Sequence, residues 1–363
     1  MEPGTSGTRL ADVAVESAAN YGVFVADGAG SATVERVVVT SSRGVALGAQ
    51  GTAELTLSDV ELRGPVTRDN QLSFGVNPQP ATAPTHGLVL VEVASAQLTN
   101  VTATGFAMFG ALLVESATTW TGGGAPRNMG NGLMVHDGTA HLEGLDFSGT
   151  FGDYLLMPAY GAVFAADAVV DTVDLTVSDG ANFGLLNDHA AVTHDGLKAN
   201  HNVHAAVWVQ NCPSIRITGA GTEMTSNGLG GVITVDTPNV TLADATISST
   251  TIVRRTYGET GTRDVGAGIE LVRAGDGTSL AGVTLRNLNL VDNAQVGIMF
   301  QLRGTTAGLA LEGEIAVSRD EAGRITHFFG YILDCTLPHE AHEAMASAKR
   351  QAEAAARAKS EFL

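Results

Sequence analysis

The residues best suited to chemistry in this sequence are acids and imidazoles that recur at the ends of short apolar runs. Five places after a recurring small residue stand Asp27, Glu92, Glu115, Asp137 and Asp236; Arg273 ends the series, and Asp167 and Asp188 are displaced from it by one. Carboxylates stacked on neighbouring strands repel one another unless something positive lies between them, and hard cations take oxygen ligands of this kind. Glu92, Glu115 and Asp137 are therefore a candidate calcium set. Solvated turn acids that discourage aggregation at a sheet boundary would give the same pattern without metal. Between Asp188 and His204 the sequence DHAAVTHDGLKANHNVH holds His189, His194, Asp195, His201 and His204, with His136 and His141 earlier in the chain. Imidazole suits transition metals, and an acid beside it can act as general acid or base, although these spacings match no metal motif. A carboxylate pair drawn from Asp137, Asp167 and Asp188, with His189 nearby, is the candidate catalytic set for cleaving a glycosidic bond. A separation of about 5 Å would go with retention and one of about 6.5 to 9.5 Å with inversion.

Such groups need elements to hold them, and the sequence supplies short strands. Units opening at Gly22, Gly44, Gly110, Gly132, Gly161, Gly184, His204, Gly231, Gly268 and Gly297 begin with runs such as GVFVAD, GLMVHD and GIMFQL. In most units a second strand follows a turn, as in ATVERVVV, AQLTNVTAT and NVTLADATI. The 44 glycines and only 5% aromatic residues fit many strands joined by tight turns. A period of about 22 residues, first seen from Gly22 to Gly44, with no helix between strands, is the mark of a solenoid coil. One such unit cannot bury its own apolar face and must stack on its neighbours.

From Ala14 to Val317 this repeat resembles the right-handed parallel β-helix superfamily of pectate lyases, polygalacturonases and phage tailspikes. The resemblance implies an all-β, single-stranded right-handed parallel β-helix over residues 1–320. It carries neither the arginine-bearing lyase motif nor the spaced aspartates of polygalacturonases. Three stretches break the period and are expected as insertions: 65–86, 122–131 and 251–265. The last offers Arg254, Arg255 and Tyr257 as candidate binding residues. Residues 321–337 read as terminal strands, and 338–363 as a C-terminal α-helix with Pro338 in its first turn.

Alternation along each short strand should point the first and third positions after the start inward and the second outward. The outward set is then Phe24, Ala46, Val89, Leu112, Met134, Val163, Leu186, Ala206, Ile233, Glu270 and Met299. A stripe of this length would exceed the few hundred Å² of apolar surface usually left open on a monomer. The C-terminal helix, a second copy of the chain or a protein partner is expected to cover it, with Phe24, Leu112 and Met134 as contact residues. Trp208, expected to face outward, and His136 are candidate sugar contacts, since an indole can stack on a sugar ring.

A net charge of −18 and only three lysines, Lys198, Lys349 and Lys359, exclude nucleic acid as the expected partner and leave cations or neutral polymers. No run reaches the ~20 apolar residues of a membrane span. Cys212 and Cys335 form neither a disulfide framework nor a paired metal motif. No organic cofactor is expected, and calcium is the candidate metal. The opening MEPGTSGTRL has no basic region followed by an apolar one. An extracellular or cell-surface setting, with any signal segment outside this chain, is favoured over a cytoplasmic one. Two functions follow: a noncatalytic surface or scaffold rod that self-associates or binds a protein or glycan, and a polysaccharide hydrolase built on the carboxylates.

Overall fold

The computed structural model describes residues 7–40, 43–66, 85–151, 161–256, 262–273, 282–294, 296–302, 309–317 and 332–334. Tyr257, the helix expected at 338–363 and most of the stretches expected at 65–86 and 321–337 lie outside the described residues.

Two kinds of strand alternate along the chain. Short ones, such as Tyr21–Val25, His86–Val91, Phe109–Val114 and Asn131–His136, are each followed by a longer one, such as Ser31–Thr40, Ser95–Thr104, Ala117–Gly124 and Thr139–Asp146. The short strands stack in parallel into a sheet of 12, and the others into a sheet of 13. Each strand pairs with its equivalents in the coils before and after it, which defines a parallel β-helix. Gln97, Thr119 and His141, from three successive coils, lie one above another in register.

Each coil turns at residues in the left-handed backbone region. In one coil these are Asp167 (φ 50°), Asp174 (φ 52°) and Asp179 (φ 58°), and in the next His189, Gly196 and His201. Glycine, and next to it Asn, Asp and His, tolerate this conformation best, whereas most side chains crowd the backbone there. The second of the three turns falls within the register of the longer strands and bends them into two legs. Two hydrogen-bonded sheets thus make a coil with three sides.

The interior is one continuous apolar cluster from Val23 to Phe300. Trp120 and Phe147, both fully buried, meet edge to face with centroids 5.6 Å apart. At the third corner buried asparagines replace apolar contacts with hydrogen bonds. Asn202 accepts from Gly180 N (3.0 Å) and donates to Val177 O (3.0 Å), and Asn227 accepts from Asn202 N (3.0 Å) and donates to Ala199 O (2.7 Å). Asn128 and Asn293 make comparable bonds to the carbonyls of Ala103 and Ile247.

Pairing also fixes where each unit starts. Tyr21 pairs with Val45, Gly161 with Phe183, and Leu185 with Val207. Ala46, Ala162 and Ala206 therefore occupy the starting position, rather than Gly44, Gly161 and His204. The position is small because it faces the next coil: a Cβ on Gly87 would come 2.3 Å from Gly110 O, and one on Gly231 2.6 Å from Gly268 O. The outward stripe changes accordingly. Gly48, Phe164 and Trp208 stand in it, where Ala46, Val163 and Ala206 were expected. Val163 is buried with the core.

Residues 122–131 also differ from expectation. Gly123 and Gly124 pair with Val101 and Thr102 on one side and with Leu145 and Asp146 on the other, inside the ordinary coil. The extra length comes later: Leu133 pairs back to Ala111 across an ordinary coil, but forward to Val163 across a longer one. In the third stretch, Val253–Thr256 and Thr262–Val265 form a two-stranded antiparallel hairpin outside both sheets. Cys212 is buried, its sulfur accepting from Ala190 N at 3.3 Å, and burial pushes its thiol up to about 11. Among the described residues no helix is long and apolar enough to cross a membrane.

Candidate functional site

The acids of the strand ends line the first corner. Glu92, Glu115, Asp137, Asp167, His189, Asn211 and Asp236 all adopt left-handed φ between 48° and 53°. They are linked coil to coil by backbone bonds such as Asp137 N to Ala166 O and Asp167 N to Asp188 O. Asp167 thus belongs to the column, Asp188 precedes it by one, and Arg273 follows Asp236, whose N–H donates to Val272 O. The backbone alone favours Asp and Asn at such a corner.

Beside this column runs an outward one, in which His136 pairs with Val114 and Ala166, and Asp188 with Ala166 and Gln210. Four successive coils therefore present His136 with Asp137, Ala166 with Asp167, Asp188 with His189, and Gln210 with Asn211. His136 Nδ1 is 3.2 Å from Asp137 Oδ2, and His189 Nδ1 is 2.7 Å from Asp188 Oδ1. Asn211 Nδ2 donates to that same Asp188 oxygen at 3.4 Å.

One nitrogen of His136 and one carboxylate oxygen each of Asp137 and Asp167 lie within 4.8 Å of one another. Three groups with mixed nitrogen and oxygen donors suit a transition-type divalent ion better than calcium, which takes six to eight oxygens. Glu92 and Glu115 stand on the two coils before Asp137 and are not part of this close group. The carboxyl oxygens of Asp137 and Asp167 approach to the order of the ~5 Å used in double displacement. Among the described residues, however, the corner is open to water, with the Asp137 side chain 53% exposed, whereas acid–base catalysis favours a site that excludes it.

The other histidines are dispersed. His194 faces the interior, where Thr172 Oγ1 lies 2.9 Å from its Nδ1 and burial pushes it down to about 4. His141 meets Asp171 at 3.2 Å on the longer-strand sheet, and His201 meets Asp179 at 3.4 Å at the third corner.

The outward face of the short strands carries more aromatic surface than expected. Phe24, Val89, Leu112, Met134, Phe164 and Trp208 stand in one column and are half-buried; Leu186 within it, and Ile233, Glu270 and Met299 at its far end, are buried. A second column just before the starting position holds Tyr21, His86, Phe109 and Phe183. Tyr21 lies 4.7 Å from Phe24, His86 stacks on Phe109 at 5.5 Å, and Phe183 meets His204 and Trp208 at 5.1 and 5.5 Å. Trp208 Nε1 donates to Gln210 Oε1 at 3.1 Å. An aromatic directly before a small residue and a strand was the signal that would have found this second column. Arg254 and Arg255 lie on the first strand of the hairpin.

No family model matches this chain, and no curated protein matches it either. Among solved structures it is similar to a variant of the periplasmic alginate epimerase AlgG, at 9% identity and TM-score 0.39, covering 80% of this chain and 77% of that one. It is similar to the Dettilon tailspike protein at 12% identity and TM-score 0.39, over 81% and 60% of the two chains. The A-module of the Azotobacter vinelandii mannuronan C-5 epimerase AlgE6 aligns at 12% identity and TM-score 0.27, over 91% and 90%.

Proposed function

We propose that this chain is a noncatalytic β-helix that binds a neutral glycan along the outward face of its short-strand sheet. The observation that carries this reading is the parallel run of two unlike columns. Phe24, Leu112, Met134, Phe164 and Trp208 offer apolar and aromatic surface, and beside them the corner offers acceptors and imidazoles from His136, Asp137, Asp167, Asp188 and His189. The C–H faces of sugar rings rest on aromatic surface, and hydroxyl groups donate well to carboxylates. A net charge of −18 disfavours acidic polymers at long range.

The test is titration calorimetry of neutral oligosaccharides against the wild type and a Phe164→Ala/Met134→Ala double variant. The expected result is a loss of about tenfold in affinity, or about 1.4 kcal/mol. Equal affinity in the double variant would overturn the reading. Light scattering on the same samples tests the rival occupant of the face: a wild-type dimer that the double variant dissociates would put a second copy there instead. The approach of Asp137 to Asp167 favours a second reading, glycoside hydrolysis. Release of reducing ends by the wild type, abolished in Asp137→Asn and Asp167→Asn, would replace the first reading with the second.

A further inference from the structure

Where the long strands end, at the third corner, the coils line an open pocket of about 700 Å³. Its polar lining comes from Glu61, Arg63, Thr104 and Arg127, and its apolar wall from Val66 and Phe151, which are 3% and 9% exposed. This volume is typical of small-molecule sites, which combine an apolar wall with a few convergent polar groups.

Arg127 is the unusual member. The corner column that holds it is otherwise built from small or turn-forming residues, with Gly105 before it and Gly149 after it. Arg127 is left-handed at φ 54°, which costs a long side chain roughly 1–2 kcal/mol. The two glycines leave the shelf on either side of it bare: a Cβ on Gly149 would stand 3.3 Å from Arg127 Cγ. Other arginines are held by carboxylates, Arg9 by Glu35 (2.6 Å), Arg36 by Asp12 (2.6 Å) and Arg286 by Asp244 (3.1 Å). Arg127 has no carboxylate partner among the described residues. Arg43 and Arg216 share that property, but only Arg127 of the three lines a cavity.

The charges in the cavity select the ligand. Glu61 holds Arg63 in a two-point pair at 2.5 and 2.6 Å, so that pair is neutral. One unpaired guanidinium then remains, matched by one negative charge, and Glu61 disfavours a dianion beside it. A guanidinium fork fits a carboxylate at two points. We infer that this cavity is a binding site for a small organic monocarboxylate, its carboxylate on Arg127 and its apolar body against Val66 and Phe151. It lies at a different corner from the glycan face and does not depend on that reading.

The test uses the full chain and three probes in calorimetry: benzoate, inorganic phosphate and benzyl alcohol. Benzoate is expected to bind saturably, and Arg127→Asn to weaken it at least tenfold. Asparagine tolerates the left-handed corner, so the variant keeps the fold, which an unchanged melting temperature verifies. Arg127→Lys, which keeps the charge and loses the fork, is expected to fall between the two. Equal benzoate affinity in Arg127→Asn would overturn the inference, as would the absence of saturable benzoate binding up to about 10 mM, a binding free energy of only some 3 kcal/mol. Phosphate or benzyl alcohol binding more tightly than benzoate would overturn the assignment of a monocarboxylate.

Discussion

Replacing Asn227 by alanine tests whether the buried asparagines, rather than apolar packing alone, hold the third corner. Asn227 is fully buried, and its side chain serves three groups at once. Its oxygen accepts from Asn202 N and from Asn202 Nδ2, both at 3.0 Å, and its nitrogen donates to Ala199 O at 2.7 Å. Alanine leaves the Asn202 N–H, one Asn202 amide proton and the Ala199 carbonyl without this partner. A buried orphan costs about 1–3 kcal/mol. Asn202 keeps its bond to Val177 O, and a water admitted to the vacated space would serve one of the three, so the expected loss is about 3–5 kcal/mol. Urea unfolding followed by circular dichroism reads the total. Amide exchange at Gly180 and Asn202 reads the site locally, which matters in a stack whose coils need not unfold together. Asn239→Ala is the control: its single bond, to Pro213 O at 2.9 Å, is exposed, and the expected effect is within about 0.5 kcal/mol. A loss below about 1 kcal/mol for Asn227→Ala, or one no larger than the control, would refute the reasoning.

Two further outcomes follow from the interior and the backbone. Burial pushes His194 down to about 4, so between that value and the unfolded value of about 6.5 the unfolded chain binds the proton and the folded chain does not. Stability is then full above about pH 6.5 and falls by roughly 3 kcal/mol as pH drops to about 4; a His194→Leu variant with the same acid limb in its pH–stability curve would show another origin. Gly228→Ala places a Cβ 1.8 Å from Val203 O, backbone against backbone, while Gly144→Ala meets nothing within 4 Å and bears only its left-handed φ of 61°. Thermal melts are expected to show a loss of about 3 kcal/mol or more for the first and about 1 kcal/mol for the second, and equal losses would contradict the close approach between coils.

The stacked coils were legible because strand alternation and turn spacing are local signals. The phase of some coils was not. Anchoring on glycine put two starts at Gly44 and Gly161, and a third fell at His204, whereas what the position requires is smallness against the next coil's carbonyl, which Ala46, Ala162 and Ala206 also satisfy. Phe164 was thereby left out of the outward column, while Trp208 was expected to face outward but not in that column's register. The acids of the first corner were visible as a series, yet a turn that favours aspartate and a site that uses it leave the same letters. His194 and His189 look alike in sequence, and only the register sends one inward and the other to a solvent-facing corner. The cavity around Arg127 had no signature, since its walls come from separate coils, around Glu61, Thr104 and Phe151, that meet only through stacking.

Because each strand of the two large sheets bonds only to its counterparts in the adjoining coils, a coil is also a unit of inheritance. Cutting the chain at equivalent points of successive coils, such as the paired Thr119 and His141, and rejoining it would bring together strands already in register. Gain or loss of such a segment lengthens or shortens the rod by one strand spacing, about 4.8 Å, without resetting contacts elsewhere. Reach along an extended partner can then evolve in whole steps, while the corners keep their turns and the faces keep their columns.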